Sequence, residues 1–513
     1  MAWGITNVRR STRARAAQPL HLHRPLWKGL LFRAVAIGLG LLPLFACELA
    51  LRALGLGKAT DFNDPFVGFS DIHPLLVLNE ETGRYEIPKS RQTHFQPDGF
   101  AAEKPANEFR IFVLGGSTVQ GRPWSIESSF TTWLGLNLDA SDPSREYQVV
   151  NCGGVSYATY RLIPILQEVL KYQPDLVIFC EGHNEFLEDR SYAPLKVQGL
   201  ALVWLEQQAS RFRTYNLLRE AMLRARGTGF QPVNYGQDGR ATQRTILGPE
   251  VDARLDWKGG MAEYHRDEKW QAEVIAHFDY SLQRIVRITR EAGVPLILVS
   301  PVSNLQFAPF KSEHRADLTT AEREEFDALL EQASELYGSD LRGALALLRQ
   351  AAAIDDQYAQ VHYEIGNCLL ELGMTSNARA AFIKAKELDV CPLRMLEPMK
   401  AIIHRVATET KTPLVDAGAL IAANSRSGFP DRQWLVDHVH PSMSGHQLIA
   451  DAIAEKIVEL KLVRRRAGWQ VERDKAYRDH LASLDNVYFQ RGKDRLRSEQ
   501  GWAHGLAPAV RAK

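Results

Sequence analysis

Short apolar runs alternate with longer amphipathic stretches through the middle of this chain. FRIFVL (109–114), YQVVN (147–151), PDLVIFC (174–180) and VPLILVSPV (294–302) read as nearly continuous apolar strands. Between them SIESSFTTWLGLNL (125–138) and YATYRLIPILQEVLKY (157–172) carry apolar residues at helical spacing. Buried strands alternating with amphipathic helices imply a parallel sheet covered on both faces. TPLVDAGALI (412–421) is the last strand signal, and AEKIVELKLV (454–463) closes the pattern.

Two interruptions break this alternation. The first, 187–290, mixes helix with Gly-rich loop, and its YHRDEKW stretch (264–270) is expected to wall a pocket. The second contains a repeat: ALALLRQAAAID (344–355) and ARAAFIKAKELD (378–389) align at a spacing of 34 residues, with Ala344 over Ala378 and Asp355 over Asp389. YAQVHYEIGNCLLELG (358–373) lies between them, and small residues, an aromatic and a Leu-Gly turn at that period resemble a tetratricopeptide repeat. One and a half such repeats cannot stand alone, so the segment is expected to pack on the main domain and to offer a face to a protein partner.

Composition changes the picture at the N-terminus. The net charge of +1, from 62 basic and 61 acidic residues, carries no nucleic-acid signature. Residues 1–33, however, hold seven basic residues (Arg9, Arg10, Arg13, Arg15, Arg24, Lys28, Arg33) and no acid. The apolar run that follows reaches the roughly 20 residues of a membrane span if Arg33 snorkels, and Glu48 and Arg52 at its end are spaced to pair. The positive-inside rule then predicts a signal anchor, with the chain beyond it outside the cytoplasm, in a bacterial periplasm or at the cell surface. The long leader and Phe45 weigh against a cleaved signal or a lipoprotein signal at LFAC with Cys47. The five cysteines show no paired spacing and read as small buried hydrophobes.

The candidate chemistry starts at FRIFVLGGSTVQG (109–121). A phosphate loop would need Lys and Ser/Thr after Gly121, where Arg122 and Pro123 stand. A G-x-G-x-x-G fingerprint is absent, and G-x-S-x-G fails at Val119. What remains is Ser117 at the C-terminal end of a parallel strand, where open α/β sheets place their ligands. A nucleophilic hydroxyl needs a histidine, and the histidine a carboxylate. WLVDHVHPSMSGHQLIADAIA (434–454) supplies Asp437 and His440 on one short loop, while EGHNE (181–185) places the Asn184 amide at another strand end. A zinc site from Asp437, His438, His440 and His446 matches no common spacing and would leave the serine idle. His183 is either a substrate contact or a backbone-bonded strand-end residue.

Taken together, Gly115-Gly116-Ser117, Asn151 with the glycines after it, Gly182-His183-Asn184-Glu185 and Asp437 to Pro441 resemble the blocks of the SGNH (GDSL-type) hydrolase superfamily in order and strand placement. The resemblance covers about 108 to 190, 290 to 305 and 411 to 460. It implies a flavodoxin-like α/β/α sandwich, with Ser117 as nucleophile, His440 as base and Asp437 as its orienter. Asn184 and the backbone N–H groups of Ser117 and of Gly154 or Ser156 would form the oxyanion hole, with no metal or cofactor. Two positions depart from the pattern: Gly116 stands where Asp is usual, and Ser156 where a glycine is usual, so Gly153 or Gly154 can take over that donor.

The expected organisation is a basic cytoplasmic tail (1–28), an anchor (29–52), a linker (53–107) and a first hydrolase part (108–310) with its insertion (187–290). A helical insertion (320–400), a last hydrolase part (401–463) and a helical tail (464–513), to which no chemistry is assigned, follow. The expected function is hydrolysis of a small acyl ester on a polar carrier. Acyl transfer to a cell-surface polysaccharide and an inactive scaffold are the alternatives.

Overall fold

The structure, a computed structural model, describes residues 26–54, 56, 64, 66–190, 192, 209, 212–225 and 245–503. The arginines of the basic leader up to Arg24 lie outside these residues, as do 193–208 and 226–244 of the expected 187–290 insertion. The chain divides into two compact units, 1–60 with 208–229, and 61–207 with 230–513.

The smaller unit pairs the helix Leu26–Ala53 with the helix Arg213–Ala225. Glu48 accepts from Arg52 Nε at 2.9 Å, as its spacing predicts, and also from the backbone N–H of Arg213 and Thr214 at 3.1 and 3.0 Å. It therefore satisfies first-turn donors of the second helix, which have no partner within their own helix. Among the described residues no helix is long and apolar enough to cross a membrane, so anchoring over 29–52 stays an expectation of the sequence.

Among the described residues the larger unit contains ten strands: β1 (Val67–Phe69), β2 (Val77–Asn79), β3 (Arg84–Glu86), β4 (Gly99–Ala101), β5 (Glu108–Gly115), β6 (Glu146–Gly153), β7 (Leu176–Cys180), β8 (Thr245–Leu247), β9 (Leu296–Ser300) and β10 (Leu414–Asp416). Five of them form one parallel sheet in the order β10-β9-β7-β5-β6. Numbered by chain order within the sheet this is 2-1-3-4-5, the flavodoxin-like order, whose crevice opens beside the first strand. Strand alternation divides the core. Phe112, Leu114, Val177, Phe179 and Leu298 face the helices Thr159–Val169, Glu268–Glu291 and Glu397–Thr410. Ile111, Val113, Ile178, Ile297 and Val299 face the helices Phe130–Ser141 and Met443–Glu459. Burial on both sides explains the continuous apolar runs.

Three expectations need correction. Residues 53–107 are more than a linker, because β2, β3 and β4 form an antiparallel sheet and Phe100 meets Phe112 edge-on at 5.3 Å. Strands of three residues are too short to show a period in sequence. The strand read over 412–421 stops at Asp416, whose side chain accepts the Ala419 N–H at 2.8 Å and caps the helix Ala417–Asn424. The expected 320–400 insertion also ends earlier, at Glu387.

That insertion comprises four helices, Thr320–Leu336, Leu341–Ile354, Ala359–Glu371 and Thr375–Glu387. Gly366 lies against the Phe382 ring with no room for a Cβ, and Ala344, Ala378 and Ala385 are buried with them. Leu305 and Phe429 from the main domain complete this cluster, so the hairpins pack on that domain. Of the cysteines, 152, 180, 368 and 391 are buried, Cys47 is exposed, and none is paired.

Packing against backbone is close at the end of β5. A Cβ on Gly115 would run into the Cys180 carbonyl and the Val119 side chain. Gly115→Ala is expected to lower stability by about 1–3 kcal/mol, since backbone rather than a flexible side chain must move. Urea denaturation of the two proteins measures it.

Candidate active site

Every residue from Glu108 to Gly121 is buried except Ser117, which is half-exposed. β5 delivers it to the crevice, and the chain turns at once into the short helix Ser117–Gln120, which ends at Gly121 with φ 98°. Asn151 at the end of β6 steadies that turn. Its amide donates to the Val119 carbonyl at 2.7 Å and to Thr131 Oγ1 at 2.9 Å.

His440 arrives on the loop that leads into the helix Met443–Glu459, after the edge strand β10. Its Nε2 lies 2.7 Å from Ser117 Oγ, and its Nδ1 lies 2.6 Å from Asp437 Oδ2. Asp437 Oδ1 accepts the Val439 and His440 N–H groups at 2.9 and 2.8 Å, which shapes the loop. Asn304, just beyond β9, was not singled out in the sequence. It braces this loop by donating its amide to the Asp437 carbonyl at 2.8 Å and its N–H to the His438 carbonyl at 2.9 Å.

Electrostatics assigns the protons. Burial pushes Asp437 up, but the charges of His440 and His438 and the bonds from His440 hold it well below the carboxylate range. An ionised carboxylate only accepts, so Nδ1 of His440 carries the proton and Nε2 is free to take one from Ser117. Burial lowers His440, yet Asp437, by charge and hydrogen bond, and then Glu499 raise it above 6.5. Its neighbours differ. Burial first, then His440, brings His438 to about 4 and His446 to about 3, Asp437 holding His438 up in part. Burial likewise brings His183 to about 3.

The zinc set weighed from sequence is not assembled. His446 Nδ1 accepts the Phe130 N–H at 3.2 Å, and His438 packs its ring against Phe307 and Phe310. Among the described residues, the trio close enough to share an ion is Asp437, His440 and Glu499, of which the first two are already bonded to each other. His183 takes its backbone-bonded form: Nδ1 accepts the Met395 N–H at 3.1 Å.

The candidate oxyanion donors separate. Gly154 is a correction, because its N–H bonds the Gly115 carbonyl at 2.9 Å; the Gly153 N–H is likewise taken by Asn151 Oδ1 at 2.9 Å. Ser156 adopts φ 64°, the left-handed conformation that a glycine would supply at no cost. Among the described residues its N–H meets no acceptor. Asn184 Nδ2 donates to the Tyr157 carbonyl at 3.1 Å and lies against Gly116, where a Cβ would strike both this amide and the Glu181 carboxylate. A larger residue at 116 would therefore have to displace these two side chains.

Glu181 was passed over in the sequence. Its Oε1 accepts three successive N–H groups, from Gly182 and His183 at 2.9 Å and from Asn184 at 3.2 Å, and so builds the turn that aims Asn184. A buried acid one residue beyond β7 was the available signal. The YHRDEKW aromatics stand behind this turn: Tyr264 donates to the Phe186 carbonyl at 3.1 Å and Trp270 to that of Arg190 at 3.1 Å. The helical tail also changes role, since Glu499 of the helix Asn486–Ala503 lies 3.9 Å from His440 Nδ1.

No family model and no curated protein matches the chain. Among solved structures it is similar to an acetylxylan esterase, Axe2, from Geobacillus stearothermophilus, at 13% identity and TM-score 0.31 over 68% of this chain and 94% of that one. A lipase/acylhydrolase from Enterococcus faecalis gives 11% and 0.31 over 70% and 100%. LAE5, an alpha/beta hydrolase enzyme from the metagenome of Lake Arreo, Spain, gives 13% and 0.29 over 69% and 96%. Likeness of this degree decides nothing about activity.

Burial pushes the Glu181 carboxyl up to about 8, with Glu185 adding to the rise and the three N–H bonds opposing it. A folded value above the ordinary 4.5 means that the folded state holds the proton more tightly. The stability tied to that proton is present below 4.5 and is lost as pH rises through 8. Glu181→Gln removes the titration and keeps an acceptor oxygen. The stability of the wild type relative to this variant should therefore fall between pH 5 and pH 8, as read by chemical denaturation at each pH.

Proposed function

We propose that the protein is a serine ester hydrolase of the SGNH type, acting through an acyl-enzyme on a small acyl ester of a carbohydrate or other polar carrier. The observation that carries this reading is the unbroken line from Ser117 Oγ to His440 Nε2, at 2.7 Å, and from His440 Nδ1 to Asp437 Oδ2, at 2.6 Å. A structural serine has no use for a buried imidazole whose far nitrogen is fixed on a carboxylate.

In this reading His440 Nε2 takes the Ser117 proton as Oγ bonds to the acyl carbon. The carbonyl electrons move onto oxygen, where the Asn184 amide and the Ser117 and Ser156 N–H groups stabilise the charge. The alcohol leaves with the proton from His440, and water, deprotonated by the same nitrogen, releases the acid and restores Ser117. A sugar hydroxyl in place of that water gives the transferase outcome. The left-handed backbone at Ser156 supports its role as donor. The basic leader and the apolar run after it support a membrane-anchored enzyme with this site outside the cytoplasm, and the helical hairpins 320–387 are its recognition segment.

Ser117→Ala should lower kcat by about 10⁴ to 10⁶-fold and abolish labelling by a fluorophosphonate probe, with melting unchanged. Retention of more than a tenth of the rate would place the nucleophile elsewhere. Asn184→Ala should lose roughly 10² to 10³-fold, since one oxyanion donor is removed. Because His440 must be neutral to accept the proton and is held above 6.5, kcat/KM should fall on an acid limb lying above that pH. A rate profile on acetyl and longer acyl esters from pH 5 to pH 9 measures both the limb and the chain-length preference.

A further inference from the structure

The helix Asn486–Ala503 is held on the loop that follows Ser117 by several separate contacts. Tyr488 Oη and Ser128 Oγ are 2.7 Å apart, the Arg495 guanidinium donates to the Trp124 carbonyl, and Gly492 lies so close to the Trp124 indole that no Cβ would fit. The preceding helix, Trp469–Ser483, adds His480 Nε2 at 2.7 Å from the Glu127 carbonyl. This fixes Glu499 beside the site. Its Oε1 accepts from Arg122 Nη1 at 2.6 Å. Its Oε2 is buried, has no hydrogen-bond partner, and stands 3.9 Å from His440 Nδ1. An orphaned buried carboxylate oxygen calls for an explanation, and here it faces an imidazole that must become a cation during turnover.

We propose that Glu499 is a positioning residue for the reaction, forming with Arg122 an opposed pair of charges that holds and polarises His440 from outside the Ser117–His440–Asp437 line. Arg122 is tied to the same turn as the nucleophile, since its N–H bonds the Ser117 carbonyl at 3.1 Å. The tail helix, the serine turn and the histidine loop thereby meet at one point. The groups facing His440 are Asp437 and His438 on its own loop, His446 on the helix behind it, His183 after β7, Arg122 and Glu499. Of these, Glu499 favours the imidazolium and Arg122 opposes it.

The inference rests on the hydrolase reading, yet its central test does not need turnover. In the full-length protein, His440 is titrated by NMR in the wild type, Glu499→Gln and Arg122→Gln. Both variants break the same ion pair, so a merely structural role moves the two alike. A charge role moves His440 down in Glu499→Gln and up in Arg122→Gln, and the acid limb of kcat/KM follows in the same directions. Glu499→Gln should also lower kcat by about three- to tenfold with KM unchanged, the scale of one close charge pair.

Shifts of the same sign, or none in either variant, overturn the proposal. Should Glu499→Gln fail to fold, Arg122→Gln decides alone: an upward shift supports the proposal, and none or a downward one overturns it. A wild type that neither turns over an ester nor labels with the probe defeats the hydrolase reading instead, while the titration still reports on the charges.

Discussion

The end of β5 has no space for a side chain, and the candidate site is arranged around that fact. Gly115 touches the Cys180 carbonyl, and Gly116 touches the carboxylate of Glu181 and the amide of Asn184. Removing both Cβ atoms lets the turns after β5 and β7 approach closely enough for Asn184 to stand beside Ser117. The departure at Gly116 from the usual acidic residue has a local counterpart. A carboxyl group is present next to that position, supplied by Glu181 just beyond the neighbouring strand, and it accepts from three consecutive N–H groups there.

Around this contact the protein buries several histidines and distinguishes one. His183, His438 and His446 are pushed down by burial to about 3, 4 and 3. His440, in contrast to these three, is carried above the ordinary value, because an ionised Asp437 lies 2.6 Å from its Nδ1. Taking a proton from Ser117 is thus favoured at one imidazole and opposed at its neighbours. Asp437 stays ionised in a buried setting because backbone N–H groups and the imidazole satisfy both oxygens. Asn304 keeps that loop in register with the sheet.

Much of this was legible along the chain. The strands came from continuous apolar runs, because a sheet covered on both faces demands them at every position. Ser117, Asp437 and His440 stood out because their motifs sit at strand ends or lead into a helix, where the spacing is local. Glu48 and Arg52 pair for the same reason, four residues apart on one helix. The choice among Gly153, Gly154 and Ser156 was not legible. It depends on N–H groups already taken, that of Gly154 by the Gly115 carbonyl of β5 and that of Gly153 by the Asn151 side chain, and on a φ of 64° at Ser156 that a serine does not advertise.

What the sequence alone determined, then, was the set of buried strands, the candidate nucleophile and its base, and the charge asymmetry at the N-terminus, all of which are properties of residues close together in the chain. Tertiary structure decided what depends on distant segments meeting. It set the 2.7 Å contact between residues 117 and 440, the small antiparallel sheet within 53–107, and the arrival of Glu499 at the imidazole from a tail with no motif of its own. Such contacts are fixed by how helices and strands pack in three dimensions, and a pattern with a period of two or 3.6 residues carries no information about them.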